Sequence, residues 1–425
     1  MTIVINPDKT VTIHGIKTFI VSTSGIFTKD IVNGALITIT PSAAVIAAVN
    51  RHAGIMDMDV AAHYNAPYFK VMQTIEEQAG LGFIAFVHTW GLDPLLKASP
   101  EFMGYYQNDE IEDQAVAENY YRTVQANDPI NPIYLGHWHN VSIWNQYCDI
   151  NIFGNWCIIS NNEFIRTNSI FNSESYAETA YFRGTSPENL KPIWALIPAN
   201  STTFMGGDGT YRNEVPTYAE MKALCYLYIT MGCKGVSFMP AFNMADFKGY
   251  AENSTMYNQV MAIASELKEL NDILVLPILA WRCYQHEDSM IAFSNKINVA
   301  GVYSQTDTNF NYMLKQSGDV YYLIIINKAP SIVSTSINIQ GVNTGTVTKI
   351  GTETQGSGTA GKITQIVAGS FEDTFDPQAV HIYSIDTGTN PPPPPPPAEN
   401  INWTFWGLIG LGIVGLYKYI QSTKK

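Results

Sequence analysis

The feature that most constrains the fold of this chain of 425 residues is a repeated alternation of short apolar segments with longer amphipathic ones. The short segments have the length of buried strands, and the longer ones carry apolar residues at helical spacing. Strands and helices that alternate in this way build parallel sheets, and eight such units favour a closed (β/α)8 barrel over an open sheet. The first predicted strand follows a hairpin within residues 11–24, and the other seven are Ile55–Val60, Gly82–His88, Phe102–Tyr106, Pro132–His137, Asp149–Phe153, Pro192–Ile197 and Gly235–Met239.

The predicted helices lie between these strands. Thr217–Met231 carries the clearest helix signals, because a Glu stands in its first turn and Gly232 follows its last residue. The other predicted helices are Pro41–Ala53, Ala66–Ala79, Glu112–Val124, Ser175–Phe182 and Met256–Leu270.

From about Asp288 the pattern changes to short alternating segments separated by turns rich in Gly, Asn and Thr. Such a pattern is typical of an antiparallel β-sandwich. The sequence therefore predicts two folded domains followed by three further segments. These are a barrel at residues 1–286, a β-sandwich at 287–387, a polyproline linker at 388–400, a transmembrane anchor at 401–420 and a basic tail at 421–425.

The C-terminal segment has the marks of a membrane anchor. Seven consecutive prolines, Pro391–Pro397, predict a stiff polyproline II spacer of roughly 20 Å. The following residues 401–420 are largely apolar, with aromatic residues near both ends and Lys424 and Lys425 just beyond. This pattern is typical of a single spanning helix whose lysines stay on the internal side. The alternative is a small amphipathic or oligomerising helix.

Two compositional features restrict the partners. A net charge of −13 without any cluster of Lys or Arg argues against nucleic acid, because phosphate binding needs a basic surface. The five cysteines show no CxxC spacing, so we expect most of them in the core, while a bridge between Cys148 and Cys157 stays open. The N-terminus lacks the pattern of a signal peptide. We expect no cofactor.

A pair of adjacent carboxylates stands where a barrel would place its chemistry. The stretch Gly104–Glu110 overlaps the end of the fourth predicted strand and closes with Asp109 and Glu110. In (β/α)8 barrels, catalytic groups lie at the C-terminal ends of the strands. Carboxylates at such a position indicate general acid/base chemistry, and sugar hydrolysis is a common use of it.

With these elements in order, the chain resembles a divergent member of the clan A glycoside hydrolase superfamily, which has TIM-barrel folds. More narrowly, it is similar to barrel-plus-β-sandwich glycosidase-like proteins, and the similar stretches span most of residues 9–386. Each stretch is weak by itself, and their order along the chain carries the resemblance. The similar stretches are Lys9–Phe19, Gly104–Glu110, Pro216–Val236, Val320–Asn327 and Phe371–Tyr383.

The resemblance implies a role for Glu110, which matches the general acid/base of the superfamily, with Asp109 beside it. It also implies a second carboxylate at the end of the seventh strand, but that strand here ends at Asn200 without one. The missing carboxylate argues against a retaining mechanism, because such a mechanism needs two carboxyl groups about 5 Å apart. The alternative second carboxylates lie in the following loops, where they could serve an inverting enzyme, and are Asp208, Glu214 and Asp246.

Other polar and aromatic side chains near the strand ends are candidates for binding sugar. Histidines at strand ends also raise the hypothesis of a metal site, with His63 as a further ligand, but their spacing matches no established zinc motif. We therefore expect no metal. The substrate-binding candidates are His88, Trp90, Tyr106, Asn108, His137, His139, Asn200 and Asn243.

Two functions remain open from the sequence. The first is a membrane-anchored, surface-displayed glycoside hydrolase that uses Glu110. The second is a catalytically inactive barrel that binds a glycan or receptor, or serves as a structural surface protein such as a virion spike. In both cases the expected partners are carbohydrate and, through the C-terminal helix, a lipid membrane of a cell or a virion. The stiff stalk is compatible with a homo-oligomer.

Overall fold

The structure is a computed structural model. It describes residues 3–23, 31–32, 35–36, 43–61, 66–86, 94–109, 113–137, 144–154, 191–199, 202–205, 211–214, 216–240, 254–283, 286–296, 298–300, 306–329, 331–351, 361 and 363–388.

The first half of the described chain contains fifteen strands, of which eight form the barrel. An antiparallel sheet of three strands comes first, and two short hairpins (β5–β6 and β13–β14) lie between barrel strands. The strands are β1 (Ile3–Ile5), β2 (Val11–Ile13), β3 (Ile16–Thr18), β4 (Ile20–Thr23), β5 (Ile31–Val32), β6 (Ala35–Leu36), β7 (Met58–Ala61), β8 (Gly82–Phe86), β9 (Phe102–Asp109), β10 (Ile133–His137), β11 (Ile150–Gly154), β12 (Ile193–Ala199), β13 (Thr202–Met205), β14 (Tyr211–Glu214) and β15 (Gly235–Pro240).

The eight barrel strands are all parallel and follow one another as β4, β7, β8, β9, β10, β11, β12 and β15. The barrel closes where β15 pairs with β4, from Gly235 opposite Ile20 to Phe238 opposite Thr23. Every predicted barrel strand is confirmed, and the ends predicted for the second to eighth strands differ from the observed ones by three residues at most. The hairpin predicted before the first strand is also present, as β2 and β3.

The helices lie outside the barrel and match most of the predicted ones. The helix Tyr218–Thr230 starts with a capping box. In it, the side chains of Thr217 and Glu220 each accept a hydrogen bond from the backbone N–H of the other residue. The predicted helix at 175–182 lies outside the described residues. The helices are α1 (Ala43–His52), α2 (Ala66–Ala79), α3 (Pro94–Ala98), α4 (Gln114–Asn127), α5 (Tyr218–Thr230), α6 (Ser254–Glu269) and α7 (Asn271–Leu274), with a 3-10 turn at Asn145–Tyr147.

The inside of the barrel is filled by side chains. Tyr134 and Trp194 meet across it, with ring centroids 5.1 Å apart, and both belong to one buried cluster. The same cluster includes Ile3, Val11 and Ile13 of the N-terminal sheet, which therefore closes the N-terminal end of the barrel. The interior is a packed core, so the loops at the C-terminal end are where this fold offers a site.

Two antiparallel sheets follow the barrel. One has seven strands in the order β17–β16–β21–β22–β27–β24–β25 and the other has three in the order β18–β23–β26, with β19–β20 as a separate hairpin. The strands are β16 (Ile278–Cys283), β17 (His286–Glu287), β18 (Ile291–Phe293), β19 (Asn298–Ala300), β20 (Thr306–Thr308), β21 (Phe310–Ser317), β22 (Val320–Asn327), β23 (Val333–Ile339), β24 (Gly345–Ile350), β25 (Ile363–Ile366), β26 (Ser370–Phe375) and β27 (Val380–Asp386).

The seven-stranded sheet is buried on both faces. In β22, Leu323 and Ile325 share a core with residues of the three-stranded sheet, whereas Ile324 and Ile326 share a core with helices of the barrel. This alternation follows the period of two in a strand. The two sheets form the expected β-sandwich, and β16 already pairs with β21. The predicted boundary at 286–287 therefore falls within the first hairpin of the sandwich.

Three cysteines lie in the core as expected, because Cys148, Cys225 and Cys233 are buried free thiols. Within the described ranges, no helix has the length and apolar character that crossing a membrane requires. The predicted anchor at residues 401–420 lies outside those ranges.

Helix α5 lies between the barrel and the sandwich and carries a buried ion pair. Lys222 Nζ lies 2.7 Å from Glu266 Oε2 of α6, and both side chains are at most 2 % exposed. The Tyr226 hydroxyl donates to Glu266 Oε1 at 2.5 Å. Each oxygen of this carboxylate thus has a donor, which offsets part of the cost of burying the charge.

Replacing Lys222 by Met should destabilise the protein strongly, because Glu266 would keep its buried charge without a cation. We expect a loss of about 3–5 kcal/mol in the free energy of unfolding, measured by urea denaturation. The matched control is Arg122→Met, which breaks the exposed pair between Arg122 and Glu118 and should cost less than about 1 kcal/mol. Equal effects of the two changes would contradict this account of the ion pair.

Candidate functional site

The fourth barrel strand ends at the first of the two predicted carboxylates. Asp109 is the last residue of β9, and Glu110 follows directly, outside the described residues. Because all eight barrel strands are parallel, their C-terminal ends surround one opening. The backbone of Asp109 therefore lies at the barrel mouth, as the sequence predicts.

β9 carries two irregularities of pairing. Against β8, the register shifts between Phe83 and Ala85. Against β10, it shifts between Tyr134 and Gly136, so that Gly136 lies opposite Asp109. Each shift places an extra residue on β9, as in a β-bulge, which bends a strand and redirects its side chains. The second bulge immediately precedes the carboxylate pair.

Gly104 explains why the fourth-strand signature begins with glycine. Its φ is +131°, and a Cβ there would lie 2.3 Å from the carbonyl oxygen of Pro132. Any other residue would be strained and would also force β9 away from β10. The glycine thus allows the close approach of the two strands below the candidate site.

Three of the predicted sugar-binding residues are placed by these two strands. Asn108 precedes Asp109 in β9, and His137 is the last residue of the neighbouring β10. Tyr106 is only 6 % exposed and belongs to the buried cluster inside the barrel. It therefore lies beneath the mouth as part of the packed core, with little of its ring available to a sugar. Stacking of a sugar on Tyr106 stays a prediction.

The seventh strand ends without a carboxylate, as predicted, since β12 finishes at Ala199. The hairpin β13–β14 follows, and Thr202 in β13 lies opposite Glu214 in β14. Thr202 is three residues after Ala199, so the Cα atoms of these two residues are separated by at most about 10 Å. Because paired residues of antiparallel strands lie about 5 Å apart, the Glu214 backbone stays near the barrel mouth.

The remaining site candidates lie outside the described residues. In the part of the chain that the structure describes, no group of three or more His, Cys, Asp or Glu side chains has the arrangement of a metal site. Of the four histidines in the metal hypothesis, only His137 is described. The predicted site residues outside the described ranges are His88, Trp90, Glu110, His139, Asn200, Asp208, Asn243 and Asp246.

A second pair of carboxyl groups, which was not predicted from the sequence, lies in the barrel wall. Asp59 of β7 and Glu76 of α2 are both fully buried. Met58 faces the barrel interior, so its neighbour Asp59 faces outward, toward the helices. Burial, followed by the negative charge of Asp59, raises the pKa of Glu76 well above its ordinary value. The sequence does contain a signal for the burial of Glu76, because Glu76 lies one helical turn after the apolar Met72 and therefore on the same face of α2.

No family model matches the sequence, and no curated protein matches it. Solved structures do match. The α-amylase of Geobacillus thermoleovorans, complexed with acarbose, has a TM-score of 0.50 at 9 % identity, covering 87 % of this chain and 98 % of that one. AmyP in complex with maltose has a TM-score of 0.50 at 8 % identity, and the match covers 86 % of this chain and 96 % of that one. The GH51 α-L-arabinofuranosidase of Thermotoga petrophila has a TM-score of 0.41 at 11 % identity, and the match covers 91 % of this chain and 100 % of that one.

At such low identities these matches establish the fold alone. The matches to the Geobacillus α-amylase and to AmyP cover nearly all of those two chains and most of this one. The closed barrel of eight parallel strands with its added β-sheets is therefore the fold of TIM-barrel glycosidases, and the resemblance predicted from the sequence is confirmed at this level.

The buried pair of Asp59 and Glu76 gives a prediction for the pH dependence of stability. Because the pKa of Glu76 is raised by folding from about 4.5, its stabilising contribution is complete below pH 4.5 and is lost as the pH rises toward the folded-state pKa. Glu76→Gln cannot lose a proton, so this loss is absent in the variant. Its free energy of unfolding should therefore rise relative to that of the wild type by up to about 1.4 kcal/mol per pH unit above pH 4.5.

The measurement is urea unfolding of both proteins from pH 4.5 to 8. Glu269→Gln, at an exposed position of α6, is the matched control and should follow the wild type at every pH. Parallel curves for Glu76→Gln and the wild type would show that Glu76 has no raised pKa.

Proposed function

We propose that this protein is a carbohydrate-active glycoside hydrolase in which Glu110 is the general acid/base. The observation that carries the proposal is the position of Asp109 at the end of the fourth barrel strand, with Glu110 as the next residue. The shared fold with TIM-barrel glycosidases supports the same location, because such barrels carry their chemistry at that end.

The neighbourhood of Glu110 suits a general acid. Such a group must hold its proton near working pH, which requires burial or a nearby negative charge. Asp109 supplies a carboxylate in the adjacent position. The bulge before Asp109 supports the view that this part of β9 is adapted to aim side chains at a ligand, since bulges often occur beside active sites.

Glu214 is the second carboxylate that the described backbone favours. Glu214 ends β14 and lies opposite Thr202, which begins β13 three residues after the end of β12. Because β12 itself ends without a carboxylate, we infer an inverting mechanism. Its two carboxyl groups stand about 6.5–9.5 Å apart, which leaves room for the attacking water.

The alternative function is a barrel that binds a glycan or receptor without cleaving it. The observation that favours it is the absence of a carboxylate from β12, since a retaining enzyme needs one there. Loss of the nucleophile with retention of the sugar-binding groups would leave such a binding module.

The C-terminal sequence supports display on a membrane surface. A polyproline spacer followed by an apolar segment with aromatic ends and terminal lysines is the pattern of a stalk and an anchor. We infer that the barrel and sandwich are held outside a cell or virion membrane, as a single copy or as a homo-oligomer.

The test is a hydrolysis screen of the full-length protein against a broad panel of glycans, beside two variants. Glu110→Gln should lower the rate by about 10²–10⁴, because general acid catalysis typically contributes that much. Glu112→Gln removes a carboxylate two residues away and should keep wild-type activity. Activity that survives in Glu110→Gln would reject Glu110 as the acid. Glycan binding by all three proteins without turnover would establish the binding module instead.

If turnover is found, the first product decides the mechanism. NMR detection of an inverted anomer, together with loss of activity in Glu214→Gln, would establish the inverting reaction with Glu214 as the base. Retention of configuration would reject it.

A further inference from the structure

Four polar side chains are buried together between the two sheets of the sandwich, and the proposed sugar site does not use them. They are Lys349 of β24, Asp373 of β26, and His381 and Tyr383 of β27, with exposed fractions of 3 %, 8 %, 5 % and 2 %. Lys349 belongs to the seven-stranded sheet, and Asp373 belongs to the three-stranded sheet. The cluster therefore bridges the two layers.

The strand pattern makes the burial of these charges unusual. In β26, Asp373 takes the inward position between Phe371 and Phe375, both of which lie in the sandwich core. In β24, Lys349 likewise follows Val347 on the inward face. Apolar residues at these two positions would complete the core without any desolvation of charge. The sequence instead holds an amine and a carboxylate there.

Three contacts of the cluster meet at one carboxylate oxygen. Asp373 Oδ2 lies 3.1 Å from Lys349 Nζ and 3.0 Å from His381 Nδ1, and it accepts from the Tyr383 hydroxyl at 2.5 Å. Burial alone would raise the pKa of Asp373, but the hydrogen bonds from His381 and Tyr383 hold it below its ordinary range. The resting cluster therefore contains a carboxylate.

The imidazole of His381 connects the amine to this oxygen. Its Nε2 lies 3.5 Å from Lys349 Nζ, while its Nδ1 faces Asp373 Oδ2. A neutral imidazole accepts a proton at one nitrogen and donates one from the other. His381 is thus placed to move a proton from the amine to the carboxylate.

We propose that Lys349 and Asp373 condense to form an intramolecular isopeptide bond, with His381 as the proton carrier. The bond would join β24 to β26 and thereby link the two sheets of the sandwich covalently. The proposal concerns the sandwich and is independent of the proposed function of the barrel.

The chemistry balances without any other reactant. Lys349 passes one proton to His381 Nε2 while His381 Nδ1–H protonates Asp373 Oδ2, which gives a neutral amine and a neutral carboxylic acid. The Nζ lone pair then attacks Cγ, and the carbonyl electrons move to Oδ1, which accepts a hydrogen bond from the Thr374 N–H at 2.8 Å. A second proton moves from Nζ to Oδ2, the Cγ–Oδ2 bond breaks, and one water leaves.

The surroundings favour this reaction over its reverse. Phe375 stacks on His381, with ring centroids 4.3 Å apart, and Phe371 packs edge-on against Tyr383. Such an apolar enclosure restricts the water that hydrolysis would require. Groups held together in this way react with effective molarities of about 10⁵–10⁸ M when well oriented.

The ion pair between Lys222 and Glu266 is an internal control. It is as deeply buried, with a shorter separation of 2.7 Å. Glu266 contacts Lys222 and Tyr226, and neither of these side chains has the two ring nitrogens with which an imidazole moves a proton. We expect this pair to remain ionic.

Mass spectrometry of the purified full-length protein, unfolded after incubation at neutral pH, tests the proposal. We expect a mass that is one water below that of the sequence. A proteolytic map should contain one linked pair of peptides, joined through Lys349 and Asp373, with the peptides of Lys222 and Glu266 unlinked. A mass equal to that of the sequence, or a loss of water that maps elsewhere, would overturn the proposal.

Two variants test the roles of individual groups. Lys349→Arg keeps the charge but removes the amine, so its mass should equal that of its sequence. His381→Gln should form the bond at least about tenfold more slowly, since proton transfer by a positioned side chain typically contributes more than that. Linkage at the wild-type rate in His381→Gln would reject the proton-carrier role. The wild-type measurement decides the main proposal whether or not a variant folds.

Discussion

The buried apolar core between helices α5 and α6 and the seven-stranded sheet is the packing that joins the two halves, and the ion pair of Lys222 and Glu266 links the two helices. Helix α5 meets barrel strands on one side and the seven-stranded sheet on the other, so nearly all of its side chains are buried. Lys222 is the one Lys or Arg of this helix, and because it is buried, its anionic partner must be buried as well. That partner is Glu266 of α6. The same helix begins four residues after Glu214, the last residue of β14.

Local pattern was enough to predict the barrel. Each strand, such as Ile133–His137, is a short apolar run between polar turns, and α5 carries both a capping box and a terminal glycine. The sequence pattern changes at about Asp288, and Ile278–Cys283 before it carries no local signal that separates it from a barrel strand. Only its pairing with Phe310–Ser317 assigns it to the second sheet. Pairing over such a distance leaves no local trace in sequence.

The candidate site was predictable to a smaller extent. The carboxylates after β9 follow from the position of the strand, but the bulge that precedes them follows from the register against β10. The buried charged groups were missed for a related reason. Glu266 is a charged residue beside the buried apolar residues of α6, and its partner Lys222 comes from α5, 44 residues earlier in the chain. Asp373 did carry a local signal, since it alternates with two phenylalanines.

The central claim is that a sugar binds at the C-terminal end of the barrel, beside Asp109 and Glu110, whether or not it is cleaved. Hydrogen exchange of the full-length protein, measured with and without each glycan of a broad panel, tests this claim directly. The account predicts that a bound glycan slows exchange at the C-terminal ends of β9 and β10 and in the β13–β14 hairpin. Protection confined to the sandwich or to the N-terminal sheet, or no protection with any glycan, would contradict it.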